Sequence, residues 1–88
     1  MKIVTWNSQS KFVENFKEIK KQNADIYVIH ECENPQFIKS EEYNEFASNS
    51  IWIGDNKFYG LGIFASEDVK LELVDLDNKG LDILYQLM

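Results

Sequence analysis

The spacing of apolar residues changes along the 88-residue chain, and each change marks an expected element. Lys2–Trp6 ("KIVTW") is rich in β-branched and aromatic residues and reads as a short strand. "NSQS" then reads as a turn. Over Lys11–Gln22 the apolar residues are Phe12, Val13, Phe16 and Ile19, the stripe of an amphipathic helix. Ser10 is placed to cap it. Glu14 lies near its start, and Lys20 and Lys21 near its end, an order that suits the helix dipole. Asn23 can take the left-handed position that ends the helix. Asp25–Glu31 ("DIYVIHE") is the next strand. The roughly eighteen residues between the strands suffice for a crossover helix, so the unit is predicted to be a right-handed parallel βαβ.

The second half alternates more than it spirals. Asn34–Pro35 opens a polar stretch that reads as a helix or a structured loop, with proline at the favoured first helical position. Phe37, Ile38, Tyr43 and Phe46 give this stretch a weak apolar side, and Ser40 can restart it as a second helical turn. Asn49–Gly54 and Gly60–Ser66 read as a hairpin joined by "DNKFY". Val69–Leu76 alternates cleanly, "DNKG" is a turn with Gly80 free to adopt positive φ, and Leu81–Leu87 is a last strand. The expected fold is α/β: a parallel βαβ unit followed by a β meander, one sheet of about six strands with one or two helices. One or two helices cover one face only. Trp52, Ile63, Phe64, Leu71, Leu73, Leu84 and Leu87 would need partners, and the chain closes on the strand-like "LYQLM". The expectation is therefore a partial sandwich, inclined to self-association through its exposed sheet.

Composition narrows the class. Hydrophobic residues make up 44% and aromatics 14%, which argues against disorder and for one folded unit over residues 1–88. Net charge is −6, and all nine basic residues are lysine. An acidic chain without arginine is poorly suited to grip a nucleic-acid backbone or read guanine. No apolar run approaches the roughly 18 residues of a membrane span, so no membrane partner is expected. No signal-peptide pattern opens the chain and Cys32 is its single cysteine; a reducing, cytoplasmic setting is the expectation.

The candidate chemistry lies where the two parallel strands end. Asn7 follows the first strand and Glu31 closes the second, so the connection brings both to the carboxyl edge, where α/β sheets place ligands. An amide beside a carboxylate is an oxygen-rich pair suited to Mg²⁺ or Mn²⁺. Taken singly, each residue has a plainer explanation: Glu31 as a solvated strand-end acid, Asn7 as a turn residue. The neighbours read as structural: His30 as a hydrogen-bonded core histidine facing away from Glu31, Cys32 as a buried filler, Glu33 as a solvated acid. Trp6 and Trp52 read as core, the acids of "EEYNE" as a solvent face, and Gly60 and Gly62 as close-packing positions.

At these residues the sequence resembles the endonuclease/exonuclease/phosphatase superfamily, which includes exonuclease III-like and deoxyribonuclease I-like enzymes. "TWN" (Thr5–Asn7) and "ADIYVIHE" (Ala24–Glu31) are similar to its opening motifs, with His30 where Gln is usual, and "YGLGIFAS" (Tyr59–Ser66) to its glycine-containing strand. The resemblance implies an α/β/β/α sandwich, of which these residues form the amino-terminal part, and Mg²⁺-dependent phosphodiester or phosphomonoester hydrolysis. It implies Glu31 as metal ligand and Asn7 as the residue that orients metal-bound groups or phosphate. The superfamily's Asp-x-Asn and Asp-His motifs have no match here, "DLDN" (Asp75–Asn78) being a poor substitute in a turn. The expectation is a metal half-site, inactive alone and binding Mg²⁺ weakly or not at all. It would act on a phosphate ester or nucleic acid only when completed. The alternatives are a stand-alone interaction module and one chain of a split enzyme.

Overall fold

The computed structural model describes the backbone of residues 1–75 and 81–87 and the side chains of residues 1–72. Strand β1 (Ile3–Asn7) and strand β2 (Ile26–Cys32) pair in parallel, from Ile3 opposite Ile26 to Asn7 opposite His30. Helix α1 (Phe12–Lys20) makes the crossover. Phe12 and Phe16 of its apolar stripe are buried, and Val13 and Ile19 pack at their sides. Asn23 takes the left-handed conformation at φ 50° just beyond the helix. The βαβ expectation holds.

Ser10 does not cap α1. Lys11 occupies the cap position with no side-chain bond, and the Ser10 hydroxyl donates instead to the Phe58 carbonyl. The cap comes from Glu33, whose two carboxylate oxygens accept from the Phe12 and Val13 amides at 2.9 and 3.2 Å. Glu33 is only 9% exposed, so its reading as a solvated acid is overturned. An anionic acceptor here satisfies orphan amides and opposes the positive end of the helix dipole.

After β2 a 3₁₀ turn at Pro35–Phe37 is capped by the Asn34 side chain, and helix α2 (Glu41–Phe46) by Ser40, at the start and restart that the sequence marks. Six residues make a weak helix alone. Tyr43 holds it, fully buried against Phe16 at 5.1 Å between ring centroids and against Phe12 and Phe64. Glu41, Glu42 and Glu45 face solvent, Glu42 paired with exposed Lys17 at 2.9 Å. That pair holds the Glu42 carboxyl below its usual range.

Strand β4 (Gly60–Ala65) lies antiparallel to β2, and β3 (Ser50–Ile53) antiparallel to β4, giving the order β1-β2-β4-β3. Both helices pack on one face, where Phe12, Phe16, Tyr43, Tyr27, Ile29, Cys32 and Phe64 form the main core with Trp6 and Trp52 at its margin. A Cβ on Gly60 would lie 2.1 Å from the Trp52 ring, so close packing is what that glycine permits.

The expected single sheet of about six strands is corrected to four strands plus a separate two-stranded ribbon. The ribbon pairs β5 (Val69–Asp75) antiparallel with β6 (Leu81–Leu87). The physical reason is edge occupancy. A strand has two edges, and β2 and β3 already use those of β4. A tight turn, closed by the Val69 amide on the Ser66 carbonyl, carries β5 onto the second face. There Val69 packs with Ile26 and Ile63, and Leu71 lies beside them. The predicted turn at 77–80, including the conformation of Gly80, lies outside the described residues, as do the side chains of Leu73, Leu84 and Leu87. Among the described residues, no helix is long and apolar enough to cross a membrane.

Candidate functional site

The carboxyl edge of β1 and β2 is built from backbone outward. Asn7 is the last residue of β1, exposed, and its Oδ1 accepts from the Gln9 amide at 3.2 Å. That contact is the local turn bond open to any asparagine, and it uses one of the two lone pairs on the amide oxygen. The register partner of Asn7 in β2 is His30, so Glu31 lies one residue farther along that edge.

Glu31 sits in a β-bulge. Ile29 pairs with Gly62 and Cys32 with Gly60, so three steps along β2 match two along β4. His30 and Glu31 thus share the place opposite Leu61. Glu31 absorbs the extra residue with φ 51°. Ile29 and Cys32 both enter the core beneath the helices, and the two residues between them are kept off that face. The expectation that His30 is a core histidine pointing away from Glu31 fails for this reason. His30 is exposed, and its ring makes no hydrogen bond among the described residues. Glu31 is half-buried, and its carboxylate has no hydrogen-bond or ion-pair partner among them.

The β1–α1 loop clamps this bulge. Ser8, 3% exposed, donates its hydroxyl to the Glu31 carbonyl at 2.9 Å and to the His30 carbonyl at 3.2 Å, and its amide to the His30 carbonyl at 3.0 Å. The Ser10 amide donates to the Glu31 carbonyl at 2.8 Å. Gln9 and Ser10 reach these positions at φ 52° and 61°. Three of the four non-glycine residues with positive φ among those described therefore meet at one edge. Side chains of this size seldom adopt that conformation, and such residues concentrate where surrounding contacts over-determine the backbone. Sequence reasoning did not single out Ser8, and it read Ser10 as the helix cap and Glu33 as a solvated acid. "NSQS" signals a turn, but nothing local to it says which carbonyls its hydroxyls reach.

The donor set is hard but small. One free carboxylate and one amide oxygen suit Mg²⁺ in kind, and six-coordination would need waters or substrate oxygens in addition. Among the described residues, no group of three His, Cys, Asp or Glu side chains converges as a metal cage. Cys32 is fully buried, and burial pushes its thiol up to about 12, with Glu33 adding to the rise and the Tyr43 hydroxyl opposing it. It is therefore a protonated filler, not a nucleophile. A groove of about 290 Å³ opens at the far end of β2, between Lys20, Tyr27, Glu45, Phe46 and Glu67, away from Asn7 and Glu31. No family model, curated protein or solved structure matches the chain.

Proposed function

We propose that residues 1–88 carry the metal half-site of a Mg²⁺-dependent phosphoesterase of the endonuclease/exonuclease/phosphatase type, with Glu31 as metal ligand and Asn7 as the residue that orients metal-bound groups or phosphate. The observation that supports this most is the bulge. Glu31 is held at φ 51°, its carboxylate unpaired among the described residues, one residue beyond the register partner of Asn7, at the carboxyl edge of two parallel strands. A bound Mg²⁺ would supply Lewis acidity and charge stabilisation at a phosphoryl group. The chain's own part is to hold Glu31 and Asn7 in place. The attacking water and the leaving oxygen need groups that Asp-x-Asn and Asp-His motifs provide in that superfamily, and the 88 residues contain neither motif. Hydrolysis by these residues alone is not expected.

The test is Mn²⁺ binding followed by paramagnetic broadening of amide signals. Broadening should centre on Asn7 and Glu31, and Glu31→Ala should abolish it. Broadening spread over the exposed acids, unchanged in Glu31→Ala, would remove the half-site. A second reading is a partner-binding module, favoured by the unpaired outer edge of β1 and by Ile3, exposed on the sheet.

A further inference from the structure

Beside the bulge lies a cluster of aromatic rings left in solvent. Phe37, Phe58 and Tyr59 are 59%, 51% and 56% exposed, three of the five large apolar residues so exposed among those described. The Lys57 ammonium stands 5.5 Å from the Phe37 ring centroid and 5.2 Å from that of Phe58. No carboxylate among the described residues pairs with it. Two phenyl rings and an ammonium lying over both, with no carboxylate partner among the described residues, thus form one surface.

Hydrogen bonds tie this surface to the candidate site. Ser10 donates its amide to the Glu31 carbonyl and its hydroxyl to the Phe58 carbonyl. One small residue therefore spans from the bulge to the aromatic loop. The Asn34 amide donates to the Lys57 carbonyl at 2.7 Å, fixing the same loop to the segment after β2. The Phe58 amide donates to Asn56 Oδ1 at 2.9 Å, which shapes the loop from within.

We propose that Phe37, Lys57 and Phe58 form a stacking platform for the base of a nucleotide whose phosphate lies toward Glu31. This rests on the half-site reading and narrows its substrate to base-bearing phosphoesters. Exposed rings cost solvation unless a planar apolar surface covers them, and a nucleobase offers such a surface whatever its sequence. The ammonium, which lies over the ring faces, would be displaced by the base and supply positive charge for the phosphate beside them. A single stacked base needs no basic track along a polymer, so the net charge of −6 opposes one nucleotide far less than a polynucleotide. A sugar or inositol phosphate has the charge but no π-face.

The experiment compares AMP with the ribose phosphate left when its base is removed, in Mg²⁺, by amide chemical-shift titration of the 88-residue chain. AMP should shift Phe37 and Lys57–Tyr59 and bind roughly 5-fold or more tighter, the scale of one stacking contact. Phe58→Ala should bring the two ligands level, and Phe58→Trp should keep the preference. Equal binding, shifts confined to other residues, or no shift with either ligand at millimolar concentration would overturn the platform. Glu31→Ala separates the two ideas. A base preference that survives it unchanged, while Mn²⁺ broadening is absent from the unsubstituted chain, sinks the half-site and leaves the platform standing.

Discussion

Glu31 holds a backbone conformation that costs an L-residue of its size roughly 1 kcal/mol. Three hydrogen bonds, two from Ser8 and Ser10 to its own carbonyl and one from the Ser8 amide to His30, keep it there. Glycine adopts the same φ without a Cβ penalty. Glu31→Gly should therefore raise stability by about 0.5–1 kcal/mol while abolishing Mn²⁺ broadening, with urea unfolding as the measurement. Equal destabilisation would mean that the carboxylate serves the fold. The next residue, Cys32, predicts a pH effect. Its ordinary value of 9.0 is pushed up to about 12 in the folded chain, chiefly by burial. Below pH 9 both states keep the proton. Above it the unfolded thiol ionises and the folded one does not, so the unfolded state binds fewer protons and stability falls as pH rises. Iodoacetamide should modify the native thiol only as fast as the chain opens. The alkaline loss of stability should shrink in Cys32→Ala.

At the scale of elements, α1 is started by a residue 21 positions beyond its first amide. Glu33→Ala removes an acceptor shared by two buried or half-buried N–H groups and should cost about 1–2 kcal/mol. Ser10→Ala, at the position that local sequence nominates as the cap, loses only the exposed hydroxyl bond to the Phe58 carbonyl and should cost less, about 0.5 kcal/mol. Urea midpoints at an unchanged m-value decide between them. A larger loss from Ser10→Ala would return the cap to the local residue. The cap also explains why the edge is well built. Glu33 anchors α1 to the segment following the bulge, while Ser8 and Ser10 anchor the bulge to the loop preceding α1. Strand end and helix start are thus tied twice.

For the molecule as a whole the two faces of the sheet differ. Among the described residues, the helix face buries seven in one aromatic-rich cluster and the other face buries Ile26, Ile63 and Val69. The β5–β6 ribbon supplies Val69 and leaves Ile3, at the β1 edge, exposed. Among the described residues β1 pairs only with β2, and "IVTWN" contains neither proline nor lysine to discourage a further strand. Self-association at micromolar concentration is expected in sedimentation. Because each copy carries −6, added salt should strengthen it by screening the repulsion. A monomer at all salt concentrations would show that the edge is not used.

Much of this architecture was legible because it rests on local period and chain reach. The stripe Phe12, Val13, Phe16, Ile19 and the crossover length are properties of the chain itself, and they predict a helix between parallel strands ending at Trp6 and Glu31, each one residue short of the strand ends observed. Asn34, Pro35 and Ser40 mark their turns through bonds to residues two or three away. Other features depended on residues far apart in sequence. The meander was not realised because β2 and β3 occupy both edges of β4. His30 and Glu31 share one side because the register against Gly60 and Gly62 absorbs an extra residue, and no glycine or proline in "IHECE" announces it. Glu33 became a cap because the fold brings it beneath the first turn of α1. The sequence by itself determined the elements and the edge where they end. Only the tertiary structure decided which strands pair and which acid is buried or left free, because pairing is a competition between distant segments for the same hydrogen-bonding groups.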